Sequence, residues 1–499
     1  MVPNLMSFTW KRKLNQAIIA MLAMFTLIFS IQSSAQTVNP NTPQLKGALC
    51  FIKADEQVVF VQEMLTNRYS LPGGTIEAGE TPAAAAERET WEESGLVVHV
   101  KKLLTQTDTA YIFECSADSA IVAFRFQNKE GFHSLPAWFA PSFGSESRRV
   151  YLASPNYMSA NQYRFPAQWK QQVSGHDVDN QPVQYINDAI TAAPALHQIE
   201  LPFIQMVQSS VRDLDNPFSQ AFSWVMTMLD TMSGFFFILF MLPLFNYLFG
   251  SKFTTHLCLI VVIAAVLVFF TQIGLKLPRP DAYLPDLQMS EKAGFGTPSL
   301  SATLSVVWLS YIFNGLVEQY EEFEYHKNLP LLVLLILAQG FASVWLGTHF
   351  WSDVFFGYAL GLLIAWHYLR IEQQKNLHAL NTMASPALWW ILTILLNGFA
   401  FYSHSLLIGE LAAMTLAFAV ILTIKPRRWH LGKVGTIKRQ LLLTWIVAIL
   451  VMFGYHKLAD IFSYSGVLTY LIHYLMVLIL TLNAMTLGRV QAHQNAYRY

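Results

Sequence analysis

Long runs of apolar residues fill the second half of the chain. Each run approaches or reaches the roughly 20 helical residues that cross the hydrocarbon core of a membrane. The predicted spans are 234–249, 255–275, 300–317, 331–346, 354–368, 388–402, 406–424, 441–455 and 467–487. Just before them, 201–229 mixes apolar and polar positions and is predicted to lie along the membrane surface. The pattern therefore predicts an all-α polytopic membrane helix bundle.

The first half of the chain carries short alternating segments, which are typical of strands. Strands are predicted at 48–52, 58–62, 97–100, 111–115 and 121–126, with the first two in a hairpin that turns at 54–56. One helix interrupts them: Thr81 suits its N-cap, Pro82 its first position and Gly95 its end. The fold expected here is a small α/β sandwich, and 129–198 reads as the end of that domain plus a linker.

The first 35 residues resemble a targeting segment. Lys11, Arg12 and Lys13 precede the apolar run 17–31, and small residues follow at 33–35. This order predicts a signal peptide or a signal anchor, and both export the domain that follows.

The basic residues of the later loops fall mainly on one side of the predicted bundle. They are Lys252, Lys327, Arg370, Lys375, Lys425, Arg427, Arg428, Lys433, Lys438, Arg439, Arg489 and Arg498. The positive-inside rule makes this side cytoplasmic. We therefore expect a multi-pass protein of a bacterial inner membrane, with the α/β domain outside the cytoplasm.

Composition agrees with this architecture. Of 499 residues, 54% are hydrophobic and 13% charged, which is too apolar for a soluble enzyme. Lys plus Arg and Asp plus Glu number 32 each, so net charge gives no support for nucleic-acid binding. Cys50 and Cys115 could pair in an exported domain, but the expectation is two reduced, buried cysteines.

An acidic helix carries the clearest chemical signal. Residues 74–96 read GTIEAGETPAAAAERETWEESGL. Glu89, Glu92 and Glu93 stand at i, i+3 and i+4 on one helical face, where their charges repel. A hard cation such as Mg²⁺ or Mn²⁺ relieves that repulsion and also binds phosphate oxygens. The alternative is an ordinary solvated acidic face.

This stretch resembles the Nudix box, in which glycine, five residues, glutamate and seven residues precede R-E-U-x-E-E-x-G-U, with U aliphatic. Only Thr90 departs from the pattern. The resemblance implies Mg²⁺- or Mn²⁺-dependent hydrolysis of a diphosphate, such as a nucleoside diphosphate derivative. It implies that the metal ligands are Glu89, Glu92, Glu93 and the Gly73 carbonyl. Arg88 would orient the glutamates, and Glu80 would assist the metal or the attacking water.

A second group of polar residues interrupts the predicted spans on their external side. The sequences are LKLPRPDAYLPDLQMSEKAGFGTPSLSA at 275–302 and GTHFWSD at 347–353. Ionisable residues gathered at one membrane face indicate a site. They resemble the type 2 phosphatidic acid phosphatase family, whose motifs are K-x6-R-P, P-S-G-H and S-R-x5-H-x3-D. The resemblance implies that His349 attacks phosphorus, Asp353 fixes its tautomer, Arg279 clamps phosphate and amides near Ser299 donate to it.

Three positions depart from those motifs. The first-motif lysine falls on Gln272, the second-motif histidine on Ser301 and the third-motif arginine on Ser343. Two cations and the leaving-group acid are missing, so we expect a very slow site. Lys276 or Lys292 could replace a clamp, although nothing in the spacing shows it. Three interpretations of His349 and Asp353 then stay open: weak phosphatase activity, a structural hydrogen bond, or a pocket that binds a lipid phosphate without turnover.

The predicted order is a targeting segment (1–35), a Nudix domain (44–145), a linker or extension (146–215), a phosphatase-like domain (216–370) and additional spans (386–488). The predicted function is hydrolysis of a nucleoside or lipid-linked diphosphate, undecaprenyl diphosphate among them. The alternatives are a lipid phosphatase acting through His349 and a non-catalytic receptor for phosphorylated lipids. Expected partners are the substrate and membrane lipids, with no nucleic acid.

Overall fold

The computed structural model describes residues 45–173, 176–212, 214, 217–374, 381–424 and 434–486. The predicted targeting segment 1–35 lies outside these residues. So do several residues named above, namely Lys375, Lys425, Arg427, Arg428, Lys433, Arg489 and Arg498, and the predicted domain ends at 44, 216 and 488.

The amino-terminal domain is built from two larger sheets, one two-stranded sheet and one main helix. Its strands are β1 (Gly47–Phe51), β2 (Lys53–Ala54), β3 (Gln57–Glu63), β4 (Tyr69–Ser70), β5 (Gly73–Thr75), β6 (Val98–Gln106), β7 (Ala110–Ala117), β8 (Ile121–Phe124), β9 (His133–Leu135), β10 (Ser147–Ala153) and β11 (Val183–Ile186). Helix α1 (Pro82–Ser94) follows β5, and the single turn α2 (Trp169–Gln172) follows β10. One sheet has the order β5-β1-β7-β6, the second has β2-β3-β10-β9 with β4 beside β3, and β8 pairs with β11.

Helix α1 begins and ends as the sequence predicts. The Thr81 side chain accepts from the Ala84 N–H at 3.2 Å, and Pro82 occupies the first turn. Gly95 adopts the left-handed conformation, with φ 71°, and its N–H donates to the Trp91 carbonyl. Helix α1 packs against β1, β5 and β6, so its acidic face is fixed at the edge of the first sheet.

The predicted hairpin of the first two strands forms only through β2. Residues 53–54 pair with β3, whereas β1 pairs in parallel with β7 and joins the other sheet. A break at Ile52 carries the chain from one sheet to the next. The range 146–215 also contributes more than a linker, because β10 forms the centre of the second sheet and β11 pairs with β8.

The carboxy-terminal domain is entirely helical. Its helices are α3 (Ala195–Arg212), α4 (Pro217–Thr231), α5 (Phe235–Phe249), α6 (Ser251–Leu275), α7 (Pro280–Tyr283), α8 (Leu300–Gln319), α9 (Tyr325–Trp345), α10 (Trp351–Gln373), α11 (Pro386–Ser403), α12 (Leu406–Thr423), α13 (Val434–Ile461) and α14 (Gly466–Thr486). Within the described ranges, eight of them are long and apolar enough to cross a membrane, namely α6 and α8 to α14. The pair α4 and α5, bent by 70°, makes up to nine.

An α/β domain therefore precedes an all-α multi-pass bundle, which confirms the predicted fold class. The segment predicted to lie on the membrane surface, 201–229, contains two helices, α3 and α4. Helix α3 buries Leu201 and Ile204 and exposes Ile199 and Phe203, so apolar side chains lie on both its packed and its open faces.

A shared apolar core joins the two domains. Phe124 and Ala189 of the amino-terminal domain, Leu201 of α3, and Tyr283 and Phe350 of the bundle belong to one buried cluster. The Ala189 N–H also donates to the Tyr283 carbonyl at 2.8 Å. The amino-terminal domain is thus docked on the end of the bundle that carries residues 279–302 and 347–353.

The expectation of two reduced cysteines is wrong. Cys50 of β1 and Cys115 of β7 form a disulfide, with their Cα atoms 5.4 Å apart. The two cysteines are 65 residues apart in the sequence, which gives no sign that they are close in space. The parallel pairing of β1 with β7 brings them together, because it places Cys50 beside Phe113 and thus near Cys115.

Replacing both Cys50 and Cys115 by Ala should lower the free energy of unfolding by about 2–4 kcal/mol, because the bridge closes a long loop of the unfolded chain. Thermal unfolding of the full chain, followed by circular dichroism at the strand-sensitive wavelengths, measures this. Cys258→Ala, which removes a free buried thiol of α6, is the matched control. Equal stability of the double variant and the control would contradict the prediction.

Candidate functional site

Arg88 is the centre of the acidic face of α1. Its Nε and Nη2 donate to the two carboxylate oxygens of Glu80, each at 3.0 Å. Its Nη1 lies 3.0 Å from Glu89 Oε1 and 3.3 Å from Glu92 Oε2. The hydrogen bond from Arg88 holds the pKa of Glu80 below its usual value. One guanidinium thus holds three carboxylates that would otherwise repel each other.

Glu93 points to the strand beneath the helix. One of its carboxylate oxygens accepts from the Gly73 N–H at 2.9 Å. Burial raises the pKa of Glu93 well above its usual value, and the charges of Glu63, Glu89 and Glu146 act in the same direction. Four glutamates, from β3, α1 and the loop before β10, therefore concentrate negative charge at one place.

The absence of a side chain at Gly74 leaves room for the Glu89 carboxylate beside β5. A Cβ built on Gly74 would come within 2.5–2.6 Å of the carboxylate atoms of Glu89, closer than real side chains approach. The backbone of Gly74 pairs with Ala48 across the sheet, so the strand cannot move away easily. The glycine that the sequence pattern requires is thus explained by the space for a carboxylate.

The donor chemistry of this region fits a hard divalent cation. Carboxylate oxygens are the ligands that Mg²⁺ and Mn²⁺ prefer, and Glu89, Glu92 and Glu93 supply them from one helix. In the arrangement described, Arg88 and the Gly73 N–H hold these groups, and no cluster of three or more His, Cys, Asp or Glu converges as a metal site anywhere in the described ranges. Binding would require the glutamates to exchange these partners for the ion.

Thr90, the one departure from the sequence pattern, is fully buried on the opposite side of α1. Its hydroxyl donates to the Ala86 carbonyl at 2.7 Å. The threonine therefore satisfies its own polar group within the helix and occupies the core position of an aliphatic residue.

The second candidate site lies at the end of the bundle next to the amino-terminal domain, between α7, α8 and α10. Arg279 Nη1 donates to the Thr348 carbonyl at 2.8 Å and lies 2.9 Å from His349 Nε2. His349 Nδ1 lies 3.1 Å from the Gly296 carbonyl and 3.7 Å from Asp353 Oδ2. Burial lowers the pKa of His349 well below its usual value, which favours the neutral imidazole. The structure thus brings His349, Asp353 and Arg279 together.

Asp353 is held mainly by the chain around it. It accepts from the Thr297 hydroxyl and, at 2.9 Å, from the Phe350 N–H. The nearest oxygen to His349 Nδ1 is the Gly296 carbonyl, which assigns the proton to Nδ1 and leaves Nε2 facing Arg279. The Ser299 N–H donates to the Asp353 carbonyl at 3.0 Å, so this amide is already occupied.

The side chains at the three departing positions form hydrogen bonds within the bundle. Gln272 Nε2 donates to the Pro298 carbonyl at 2.9 Å. Ser301 and Ser343 lie 3.3 Å apart, hydroxyl to hydroxyl, and the Ser343 hydroxyl donates to Asp230 Oδ1 at 2.6 Å. Two serines thus stand where the family motifs have a histidine and an arginine, and a buried carboxylate lies beside them.

Comparison with known proteins assigns both parts of the chain. The family model of the NUDIX domain matches residues 43–142, and that of the PAP2 superfamily matches residues 253–377. The chain joins a NUDIX domain to a PAP2 superfamily domain. The NUDIX assignment makes the protein a hydrolase that acts on diphosphate bonds.

Individual relatives are distant. A MutT-like protein from Streptomyces ambofaciens is 22% identical over 126 residues, which cover 24% of this chain and 79% of that protein. A PAP2-type phosphatidylglycerolphosphate phosphatase from Bacillus subtilis is 18% identical, covering 37% of this chain and 91% of its own, with a TM-score of 0.32. An ADP-ribose pyrophosphatase from Streptococcus suis is 18% identical, covering 28% and 99%, with a TM-score of 0.19.

The structure adds two residues to the PAP2 site. Lys292 is one of the two lysines considered from the sequence, and its ammonium lies 2.6 Å from Asp230 Oδ2, within electrostatic reach of His349. Lys276, the other, is exposed. Sequence reasoning missed Asp230 because it belongs to α4, more than a hundred residues before His349. An acidic residue in an apolar helix was the available signal.

Gly74→Ala should lower diphosphate hydrolysis by the NUDIX domain at least about tenfold while the domain stays folded, because the methyl group displaces the Glu89 carboxylate. Hydrolysis kinetics of the purified full chain measure this. Gly398→Ala, which adds the same methyl group in open space on α11, is the control. Normal activity of Gly74→Ala would contradict the role given to this glycine.

Proposed function

We propose that the protein is a divalent-metal-dependent hydrolase of the bacterial inner membrane, whose NUDIX domain cleaves a diphosphate outside the cytoplasm. The observation that supports this most strongly is the acidic face of α1. Arg88 holds Glu80, Glu89 and Glu92, while Glu93 lies against the Gly73 N–H. The PAP2 domain anchors this activity at the membrane and carries a degenerate site.

The roles of the residues follow from their positions. Glu89, Glu92 and Glu93, with the Gly73 carbonyl, would hold Mg²⁺ or Mn²⁺. Such an ion lowers the pKa of water and offsets charge on the diphosphate. Arg88 keeps the glutamates oriented, and Glu80 is positioned through both of its oxygens by Arg88.

Two observations support the external location of the NUDIX domain. Disulfides persist in exported compartments and are rare in the cytosol, and Cys50 is bonded to Cys115. Basic residues of the bundle loops, Lys252 and Arg370 among them, lie at the helix ends farthest from the NUDIX domain. The positive-inside rule assigns those ends to the cytoplasm.

The architecture favours a lipid-linked diphosphate over a free nucleotide derivative. The NUDIX domain packs against the end of the bundle where Arg279 and His349 lie, so a substrate anchored in the membrane would be close to both sites. Cleavage of a diphosphate leaves a monophosphate, which is the group that PAP2 domains act on. Undecaprenyl diphosphate is one substrate of this class.

A second candidate is phosphatase activity through His349. The contact of Arg279 with the His349 Nε2, at 2.9 Å, and the nearby Lys292 support it. The serines at positions 301 and 343 oppose it. Ser301 cannot donate a proton to a leaving group as an imidazolium would, and Ser343 offers phosphate no positive charge.

Phosphate release from lipid-linked diphosphates, with Mg²⁺ supplied, separates the two candidates. Glu93→Gln should reduce release by about a hundredfold or more, since it removes one carboxylate from the acidic cluster. Glu87→Gln is the matched control, because Glu87 lies on the same helix and bonds the Val100 N–H. His349→Ala should retain the first cleavage. If phosphate release is lost in His349→Ala and unchanged in Glu93→Gln, the PAP2 domain catalyses the reaction and the NUDIX proposal is wrong.

A further inference from the structure

A small cavity lies between the NUDIX domain and the PAP2 domain. Its volume is about 40 Å³. Four cationic side chains line it: Arg148 and Arg149 from β10, Arg279 from the turn before α7 and Lys292 from the loop before α8. Phe143 and Trp138 are among the apolar residues that close the NUDIX side. Both domains are needed to form it.

Positive charge exceeds negative charge around the cavity. Asp281 is the one carboxylate in its lining, and it pairs with Arg149. Lys292 pairs with Asp230, whereas Glu291, which faces Arg148 at 3.6 Å, is largely exposed.

Arg279 has no carboxylate within ion-pair distance in the described part of the chain, although the residue is only 9% exposed. Asp281, Asp353 and Asp230 act on it only from farther away. Buried cations without full compensation are costly, so the charge balance favours an anion in this space.

The donors are also incompletely used. Arg148 Nε is buried without a hydrogen-bond partner. Arg279 donates through Nε and Nη1, to the Ala293 and Thr348 carbonyls, while its Nη2 has no acceptor among the described residues. Burial lowers the pKa of Arg148 and of Lys292, as expected for cations removed from water. Free N–H groups and excess charge thus coincide at one cavity.

The size of the cavity limits the ligand. A buried water needs roughly 10–15 Å³ of such space, so the cavity holds about three waters or one tetrahedral anion. A sugar, a base or an acyl chain would not fit inside it. The chemistry and the volume together select a single phosphate group.

We propose that this cavity, which we call the interdomain anion site, binds one phosphate group between Arg148 and Arg149 of the NUDIX domain and Arg279 and Lys292 of the PAP2 domain. The NUDIX domain thereby supplies cations to a membrane domain that has lost two of its own, at Gln272 and Ser343. The site is separate from the acidic face of α1 and does not require a metal.

Binding is tested on the full chain in detergent, by calorimetry, with EDTA present so that metal-dependent sites contribute nothing. One arm uses inorganic phosphate, and a second uses dioctanoyl phosphatidic acid. Binding of either ligand that is lost in the arginine variants supports the site. Which of the two ligands binds shows whether the site takes a free phosphate or a lipid headgroup. Absence of binding of both overturns it, whatever the outcome for diphosphate hydrolysis.

Arg148→Gln should weaken binding by about tenfold or more, because it removes charge-assisted donors. Its partner Glu291 is exposed, so the variant leaves no buried charge and should fold. The pair Arg149→Gln with Asp281→Asn tests the second arginine without stranding its carboxylate. Lys276→Gln, which removes an exposed cation outside the cavity, is the control. Equal affinity in Arg148→Gln, Lys276→Gln and the unsubstituted protein would overturn the proposal.

Discussion

The bonding of Arg88 to the glutamates of α1 is the interaction on which the NUDIX site depends. Glu80, just before the helix, and Glu89 and Glu92 on it would repel each other, and a single guanidinium within 3.0–3.3 Å of each offsets this repulsion. The helix can then pack against β5, where Gly74 leaves room for Glu89. Stability and chemistry are thus in competition here, because an ion must displace partners that stabilise the folded domain.

Charged groups at the PAP2 site are also compensated by partners, but in a different way. There, Ser301 and Ser343 stand where the family motifs have a histidine and an arginine, and Asp230 and Lys292 form a buried ion pair beside them. The NUDIX domain adds cations from β10 at the cavity above this pair. The shared apolar core packs the two domains against each other, so the two sites lie in domains that are in direct contact.

The sequence predicted features that depend on local chemistry. The capping of α1 by Thr81, its end at Gly95 and the apolar spans follow from short-range preferences and periodicity. Pairings between distant segments could not be predicted. The disulfide of Cys50 depends on a parallel pairing of β1 with β7, and the place of Lys292 depends on α4, which supplies Asp230. Such contacts are set by tertiary packing, which periodicity does not encode.

The proposed activity requires that the acidic face of α1 binds one divalent ion. Electron paramagnetic resonance of Mn²⁺ titrated into the full chain tests it without reference to any substrate. We expect one Mn²⁺ bound per chain, displaced by Mg²⁺, with an affinity that Glu89→Gln or Glu92→Gln weakens at least about tenfold. Mn²⁺ that stays free, or that binds both variants as it binds the unsubstituted protein, would contradict it.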